Sequence, residues 1–482
     1  MRILFLTPRF PYPPLKGDTL RAYHQIRTLH DAGNTITLLS LADAPVASSD
    51  MAEITSLCEQ VKVVRLPKSR AMLNMGFGLF NSRPLQVSHY ISSEFRRLLA
   101  KTLRENAFDA IHVALIRMLP YVWNLPEPHP PITVDLIDSL ALNLEDRRKS
   151  TRGPLRLAYE LEYRRVLRYE RETVRRFPAL TVSSPADKQY LGNQNNIEVI
   201  PNGVDLDRFP YDPVRSHNET VIFTGNMGYG PNEEAVVWFA THVWPLLRKS
   251  HANLRFQVVG TNPSERVQAL ASAAQGIEVL GKVPDVAQCL RNATIAVAPM
   301  RSGSGIQNKL LEAMSSGTPV VSTSIGNRGV GAQHGVQLLV ADSPEAFAQS
   351  IGSLIENPTT RADIARQARI FVEAHFQWSE HANSLTKLYR MPAAKHKAST
   401  APMHTHKLNV MQLTDVTGRG GAEKALADIA LHLDLNHYNV TICATREAGN
   451  YQPLLDEAGL RTFVQGRKSR WDFGQWLKLV QL

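Results

Sequence analysis

A chain of 482 residues is too long for one hydrophobic core and implies roughly two to four domains. Apolar residues make up 43% and charged residues 20%, which excludes a disordered chain, and no apolar run approaches the ~18 residues of a membrane-spanning helix. The formal charge of +10 comes without a nucleic-acid-binding motif or a Lys/Arg block, so anionic substrates or an anionic membrane surface are the expected partners, not nucleic acid.

The opening, Met1-Arg-Ile-Leu-Phe-Leu-Thr-Pro-Arg9, has too short an apolar run for a signal peptide and reads as a first strand, so the cytoplasm is the expected compartment. Strands are expected at Ile3–Leu6, Thr35–Leu41, Val61–Leu66, Ala110–Ala114, Ile132–Leu136 and Leu180–Ser183, with helices at Thr19–Ala32 and Ser92–Glu105. This alternation argues for a parallel sheet covered on both faces by helices. Gly17 and Asp18 form a turn just past the first strand. Asp135 and Asp138 follow the fifth, where two carboxylates three residues apart suit acceptor hydroxyls; a helix cap by Asp138 or Ser139 fits equally well. Between Leu155 and Phe177 there are seven arginines and four glutamates, interleaved with Leu, Tyr and Val. That pattern fits a solvated helix laced with ion pairs, or a basic amphipathic face resting on lipid headgroups. Cys58, Cys289 and Cys443 are widely separated, with no metal-ligand spacing.

The pattern restarts after Pro201-Asn-Gly-Val-Asp205. Strands are expected at Val221–Thr224, Arg255–Val259, Gly276–Leu280, Ile295–Ala298 and Pro319–Ser322, and helices at Asn232–Arg248, Val286–Asn292 and Pro344–Glu356. Two doubly wound α/β domains with a cleft between them follow, with ligands at the carboxyl ends of the strands. Asp205 and Asp207 read as turn residues, not a metal pair. The richest segment runs from Pro299 to Val321. After the Ile295–Ala298 strand comes a loop with Gly303 and Gly305, then helical spacing from Ile306 to Ser316, ended by Gly317-Thr-Pro319. Free amides at a helix start attract anions. Arg301 and Lys309 add two cations, and Glu312 lies one turn beyond Lys309. The set suits a nucleoside diphosphate with a ribose to grip, although an ordinary strand-to-helix loop with a solvated Lys and Glu has the same spacing.

A last helix is expected at Ser379–Tyr389, then a flexible linker over residues 391–407. From Leu408 the opening of the chain repeats. Leu408–Thr414 reads as a strand, Gly418-Arg-Gly-Gly-Ala-Glu423 as a glycine turn, Lys424–Leu433 as a helix and Asn439–Cys443 as a second strand. The expected divisions are residues 1–198, 199–390, the linker 391–407, and a partial Rossmann-like domain over 408–482.

Glu312-Ala-Met-Ser-Ser-Gly-Thr-Pro-Val-Val321 resembles the donor-site motif of family 4 retaining glycosyltransferases, which have the two-Rossmann GT-B fold. That motif begins with another Glu eight residues earlier; Ser304 stands there in this chain. The family's diphosphate-binding Arg and Lys, expected after the first strand of the second domain, are also absent from Thr224-Gly-Asn-Met-Gly-Tyr-Gly-Pro-Asn232. The resemblance implies an acceptor domain followed by a nucleotide-sugar donor domain, with the last helix crossing back to the first. It implies transfer with retention, without a metal ion or other cofactor. Arg301 and Lys309 would take over the diphosphate and Glu312 the ribose. Gly225 and Asn226 would line the cleft, and Gly17, Gly303, Ser304, Gly305 and Ile306 would approach donor phosphates or sugar. His112, in the position where the family carries His-x-His, would touch the transferred sugar, though a core histidine fits the same strand. Lys309, Glu312 and His112 are thus the expected catalytic set. The loop form is similar to sugar transferases of bacterial exopolysaccharide clusters, implying a glycan or lipid-linked acceptor and a place at the inner membrane face. Gly-Gly-Ala-Glu423 resembles the opening loop of another such enzyme, so residues 408–482 are expected to be the truncated start of a second glycosyltransferase. A nucleotide-sugar epimerase on the same fold and a non-catalytic nucleotide-sugar-binding scaffold are the competing readings.

Overall fold

The computed structural model describes residues 1–79, 81–151, 153–212, 219–303, 305–390, 408–416, 427–428, 430, 438–447, 449–458, 460–464 and 466. The expected linker and the glycine turn at 418–423 lie outside the described residues, as does Ser304.

Seven parallel strands form the first sheet: β1 (Arg2–Thr7), β2 (Thr35–Ala42), β3 (Gln60–Arg65), β4 (Ala110–Ala114), β5 (Ile132–Ile137), β6 (Ala179–Val182) and β7 (Ile197–Val199), in the order β3-β2-β1-β4-β5-β6-β7. Continuous apolar runs such as Ile3-Leu-Phe-Leu6 make buried strands because helices cover both faces. Side chains alternate between the faces. Leu4, Leu6, Leu39, Ile111 and Val113 join one core, and Ile3, Phe5, Leu38, Ala110 and Ala114 the other.

A second parallel sheet contains β8 (Thr220–Thr224), β9 (Arg255–Val259), β10 (Ile277–Gly281), β11 (Ile295–Ala298), β12 (Val320–Ser322) and β13 (Leu339–Val340), in the order β10-β9-β8-β11-β12-β13. The turn Pro201–Asp205 joins the halves. Trp378 closes over it: a Cβ on Gly203 would lie 2.5 Å from the Trp378 nitrogen, and His381 Nε2 lies 2.6 Å from the Pro201 carbonyl. Asp205 accepts from the Arg208 amide at 3.0 Å, as a turn residue does. The helix Ser379–Tyr389 crosses back and gives Leu385, Leu388 and Tyr389 to the core of the first sheet. The chain from Met1 to Ala394 is one compact unit.

The second unit, Lys395–Leu482, contains β14 (Leu408–Val416), β15 (Tyr438–Glu447) and β16 (Arg461–Val464), all parallel in that order. Ala427, Ala430, Val440, Ile442 and Leu455 form its core. The β14-β15 pair has the connectivity of β1-β2, the repeat expected from the sequence.

Candidate functional site

Each of the first two sheets has one place where the chain reverses its direction of winding, leaving a crevice at the carboxyl ends of two neighbouring strands. In the second sheet those strands are β8 and β11. The loop after β8 begins with Gly225, held against β9: a Cβ on Gly260 would lie 1.7 Å from the Gly225 carbonyl oxygen, so only glycine fits there. Asn232, buried near the start of the helix Gly230–Trp238, ties this loop to the other side of the crevice. Its Nδ2 donates to the Asn226 carbonyl at 2.9 Å, and its Oδ1 accepts from Lys309 Nζ at 2.5 Å. Lys309 lies on the helix Asn308–Ser315, with its ammonium 4.4 Å from the centre of the Phe223 ring. Burial pushes this ammonium down to about 7 against the opposing pull of Glu312. Burial likewise pushes the Glu312 carboxyl up to about 7, with Arg208 and Lys309 opposing. Lys309 and Glu312 lie one helical turn apart, and each charge offsets part of the other's burial.

Arg301 does not share a partner with Lys309. Its guanidinium stacks 4.9 Å from the Trp238 ring centre and donates to the Asp342 carbonyl at 3.4 Å. The adjacent indole face offers the guanidinium a flat seat. Another cation stands at the glycine loop. Arg328 Nη2 donates to the Gly303 carbonyl at 2.5 Å and to Asp146 Oδ2 at 2.7 Å, so it joins the loop to the first domain. The sequence signal for it is the glycine-rich Gly326-Asn-Arg-Gly-Val-Gly331 after β12. Gly303 and Gly305 have φ of +132° and +68°. Ile306 packs partly against the second-domain core.

The first domain meets this loop closely. A Cβ on Gly305 would lie 3.1 Å from Asp138 Cβ and 3.4 Å from both Asp138 Oδ2 and Ser183 Oγ. Ser183 Oγ is buried and has no hydrogen-bond partner among the described residues. Asn143 Nδ2 donates to the exposed Tyr229 hydroxyl at 3.4 Å, and Asn202 Nδ2 to Asn308 Oδ1 at 3.1 Å. Ser139 caps the helix Leu140–Ser150 by accepting from the Leu142 amide, which leaves Asp138 at the cleft.

Two expected site residues are inside the first domain instead. Asp135 is fully buried; Arg21 grips it at 2.7 and 3.2 Å, and Gln25 and Thr181 donate to it at 2.7 and 2.8 Å. Burial alone would raise this carboxyl, but Arg21 overrides it and holds it well below the usual carboxylate range. With its oxygens so occupied, Asp135 cannot serve an acceptor, and that expectation is corrected. His112 is also fully buried, stacked 4.2 Å from the Phe5 ring centre and hydrogen-bonded at Nδ1 to the Tyr389 hydroxyl at 2.8 Å. Burial pushes the imidazole down to about 4. It shares a face of β4 with Ala110 and Ala114, and its Nε2 is buried without a hydrogen-bond partner among the described residues. Gly17 starts the helix Gly17–Asp31 with open space around it. Arg148 is paired with Glu160 at 2.9 Å. Among the described residues no group of three or more His, Cys, Asp or Glu is placed to hold a metal.

Residues 19–208 match the family described as Glycosyltransferase Family 4, and residues 218–357 match Glycosyl transferases group 1. An uncharacterized 44.6 kDa protein of the cps region of Klebsiella pneumoniae is 30% identical over 37% of this chain and 48% of its own, so the match spans about half of that relative. The phosphatidyl-myo-inositol mannosyltransferase of Mycolicibacterium smegmatis is 23% identical over 75% of this chain and 86% of its own. Among solved structures, Anabaena HepE in complex with UDP superposes with a TM-score of 0.56 at 16% identity, covering 80% of this chain and 99% of that one. The architecture of the two facing sheets is therefore GT-B.

Proposed function

Because this chain is a glycosyltransferase by family, with a family 4 domain followed by a group 1 domain, we propose that it moves a sugar with retention from a nucleotide-sugar to a glycan or lipid-linked acceptor, without a metal ion. The carrying observation is the linked set at the β8/β11 crevice: the Gly225 loop, Asn232, Lys309 and Glu312. In this reading Lys309 and the loop amides hold the leaving diphosphate. Glu312 accepts from the ribose hydroxyls. Arg328 holds the Gly303 carbonyl, which sets the loop against Asp138 and Ser183. The sugar would lie between that loop and the first domain, with Asp138 the carboxylate nearest to its hydroxyls. The UDP of HepE supports a nucleoside diphosphate as the ligand class.

The cps-region relative supports a role in exopolysaccharide assembly. A lipid surface is supported by the helix Lys68–Gly78 and its end, where Met72, Leu73, Phe77 and Leu79 are 56–73% exposed. Arg165 of the basic helix Pro154–Arg176 donates to the Gly78 and Leu79 carbonyls, bringing positive charge to this apolar rim. No helix among the described residues is long and apolar enough to cross a membrane. The third sheet we read as the opening of a second Rossmann-like glycosyltransferase domain, on its strand order.

Calorimetric titration with UDP-, GDP- and ADP-sugars tests the donor site. One donor should bind, and Lys309→Ala should weaken it tenfold or more (about 1.4 kcal/mol). If no donor binds to folded protein, this reading fails; donor binding without turnover under any acceptor would favour the scaffold reading.

A further inference from the structure

Asp138, Asn143 and Asp146 all meet the second domain, at Gly305, Tyr229 and Arg328, and all lie on the stretch that leaves β5. Asn143 and Asp146 are three residues apart on the helix Leu140–Ser150, so they share a face. The start of this stretch is fastened by groups from several elements. The Ile137 amide donates to Asp135 Oδ1 at 3.1 Å, and the Ile137 carbonyl accepts from the Ser183 amide at 2.6 Å, just past β6. The Ser139 amide donates to Asp187 Oδ1 at 2.9 Å, on the short helix Pro185–Tyr190. The Ser139 hydroxyl donates to Glu170 Oε2 at 2.8 Å and the Leu140 amide to Glu170 Oε1 at 2.7 Å, on the helix Pro154–Arg176.

Ile137 has φ of +66°, a left-handed conformation that is costly for a β-branched residue and persists only where the surroundings over-determine it. The residue that follows is Asp138. Beside it Ser183 Oγ, buried and without a partner among the described residues, is turned to the same glycine of the donor loop. Glu170 is fully buried. Burial pushes its carboxyl up to about 8 against the Ser139, Leu140 and Ala141 donors, with the nearby charge of Asp138 adding to the rise. Burial likewise pushes Asp187 up to about 6, Asp138 again adding and Arg328 opposing. Near neutral pH Glu170 therefore holds its proton, and a protonated carboxyl still meets the Leu140 amide with one oxygen and the Ser139 hydroxyl with the other. An apolar side chain in its place would leave a helix-start amide and a hydroxyl buried and unmet.

We infer that Glu170 is a positioning residue for sugar transfer: it fixes the start of the helix Leu140–Ser150 and thereby holds Asp138, Asn143 and Asp146 against the second domain. This rests on the glycosyltransferase reading above, in which the sugar lies beside Asp138. Glu170 is sealed from solvent, so it acts through Ser139 and Leu140 and touches no substrate itself. The nucleoside diphosphate is held by Lys309 and Glu312 on the other domain, where Glu170 has no contact. Loosening the anchor should therefore cost the sugar half of the donor and spare the nucleotide half. A residue that serves stability alone would affect both halves alike or neither.

The probes are UDP-glucose, UDP-N-acetylglucosamine, GDP-mannose and ADP-glucose, each titrated by calorimetry into the full chain beside its bare nucleoside diphosphate. Glu170→Ala should weaken the nucleotide-sugar that binds by about fivefold or more, the size of one lost hydrogen bond, and its bare diphosphate by less than about twofold. Glu170→Gln, which keeps the shape and hydrogen bonding of the protonated carboxyl, should bring sugar binding back to within about twofold of the wild type. Ser139→Ala removes the hydroxyl that Glu170 holds without emptying buried space, so it decides the matter where Glu170→Ala fails to fold. Hydrogen exchange reads the anchor without any donor: in Ser139→Ala and Glu170→Ala the Leu140 and Ala141 amides should exchange about tenfold faster or more, with β6 still protected. Equal losses for sugar and bare diphosphate, wild-type binding in both variants, or unchanged exchange overturns the inference. If the wild type binds no nucleotide-sugar, the glycosyltransferase reading fails and this inference with it, whereas intact donor binding without the split sinks only this inference.

Discussion

The two crevices have the same topology and opposite chemistry. In the second domain, β8 and β11 present glycine backbone and a single lysine whose ammonium burial has pushed down to about 7. In the first, β1 and β4 are followed by two arginines, Arg9 and Arg117, that keep their charge at any physiological pH, and the domain's buried fixed charge, its floor, is the Arg21–Asp135 pair. A site built from amides and a half-neutral lysine is recharged by the ligand it binds. A site built from paired arginines is charged in advance. The contrast lies in the groups nearest each switch point, since Arg301 and Arg328 keep fixed charge on the loops of the second domain as well.

The largest expected effect tests the floor. Arg21 donates to Asp135, to the Ile200 carbonyl and to Asn202, so it fastens β5, the helix Gly17–Asp31 and the start of the interdomain turn. Arg21→Met leaves Asp135 as a buried charge without its cation, and the loss should be about 3–5 kcal/mol in urea unfolding. Acid should act in the same direction. The folded-state pKa of Asp135 is depressed, so its contribution is present above the ordinary carboxylate pKa near ~3.9 and is lost as pH falls below it. If Arg21→Met unfolds like the wild type, the first domain does not rest on fixed charge and the comparison fails.

The next effect is about tenfold and belongs to the second crevice. With Lys309 near 7, most free protein at pH 8 holds a neutral amine there. A diphosphate raises that pKa on binding, so complex formation takes up a proton. Donor affinity should improve roughly tenfold from pH 8 to pH 6. Titration in buffers of different ionisation enthalpy should show the uptake directly. Glu312 titrates in the same range, with its folded-state pKa raised, so the measurement is repeated in Glu312→Gln to isolate the lysine. A flat profile in that variant would mean that Lys309 does not meet the phosphates.

Sequence reading located the strands well where apolar residues run without a break. Ala110–Ala114, Arg255–Val259 and Ile295–Ala298 were legible to the residue. The edge strands Ile197–Val199 and Leu339–Val340 were not, because each is two or three residues long and half-buried at most on its outer side. Lys309 and Glu312 were legible as a helical pair, since their spacing is local. Asn232 and Arg328 were harder to read, because their partners lie 77 and 182 residues away in the chain and only the glycine-rich turn around Arg328 is a local signal. The burial of Asp135 and His112 was hidden for the same reason. Nothing near Asp135 announces Arg21, 114 residues earlier, and nothing near His112 announces Tyr389, 277 residues later. A polar residue at a strand end signals a site only until its long-range partner is known.

The smallest effect concerns the join between the crevices. Arg328 is 28% exposed and Asp146 15%, a half-solvated pair that should contribute about 0.2–1 kcal/mol. Its geometry matters more than its strength, because the same guanidinium nitrogen also holds the Gly303 carbonyl. Lysine at this position keeps the charge but replaces the planar, weakly hydrated guanidinium with a compact, strongly hydrated ammonium on a more flexible stem. Arg328→Lys should therefore weaken donor binding two- to fivefold, and Asp146→Asn by less. In a double-mutant cycle on donor affinity the two changes should be coupled, since each loosens the same loop. Strict additivity would show that Arg328 serves the donor loop without help from the first domain, and the two crevices would then be independent sites that happen to face each other.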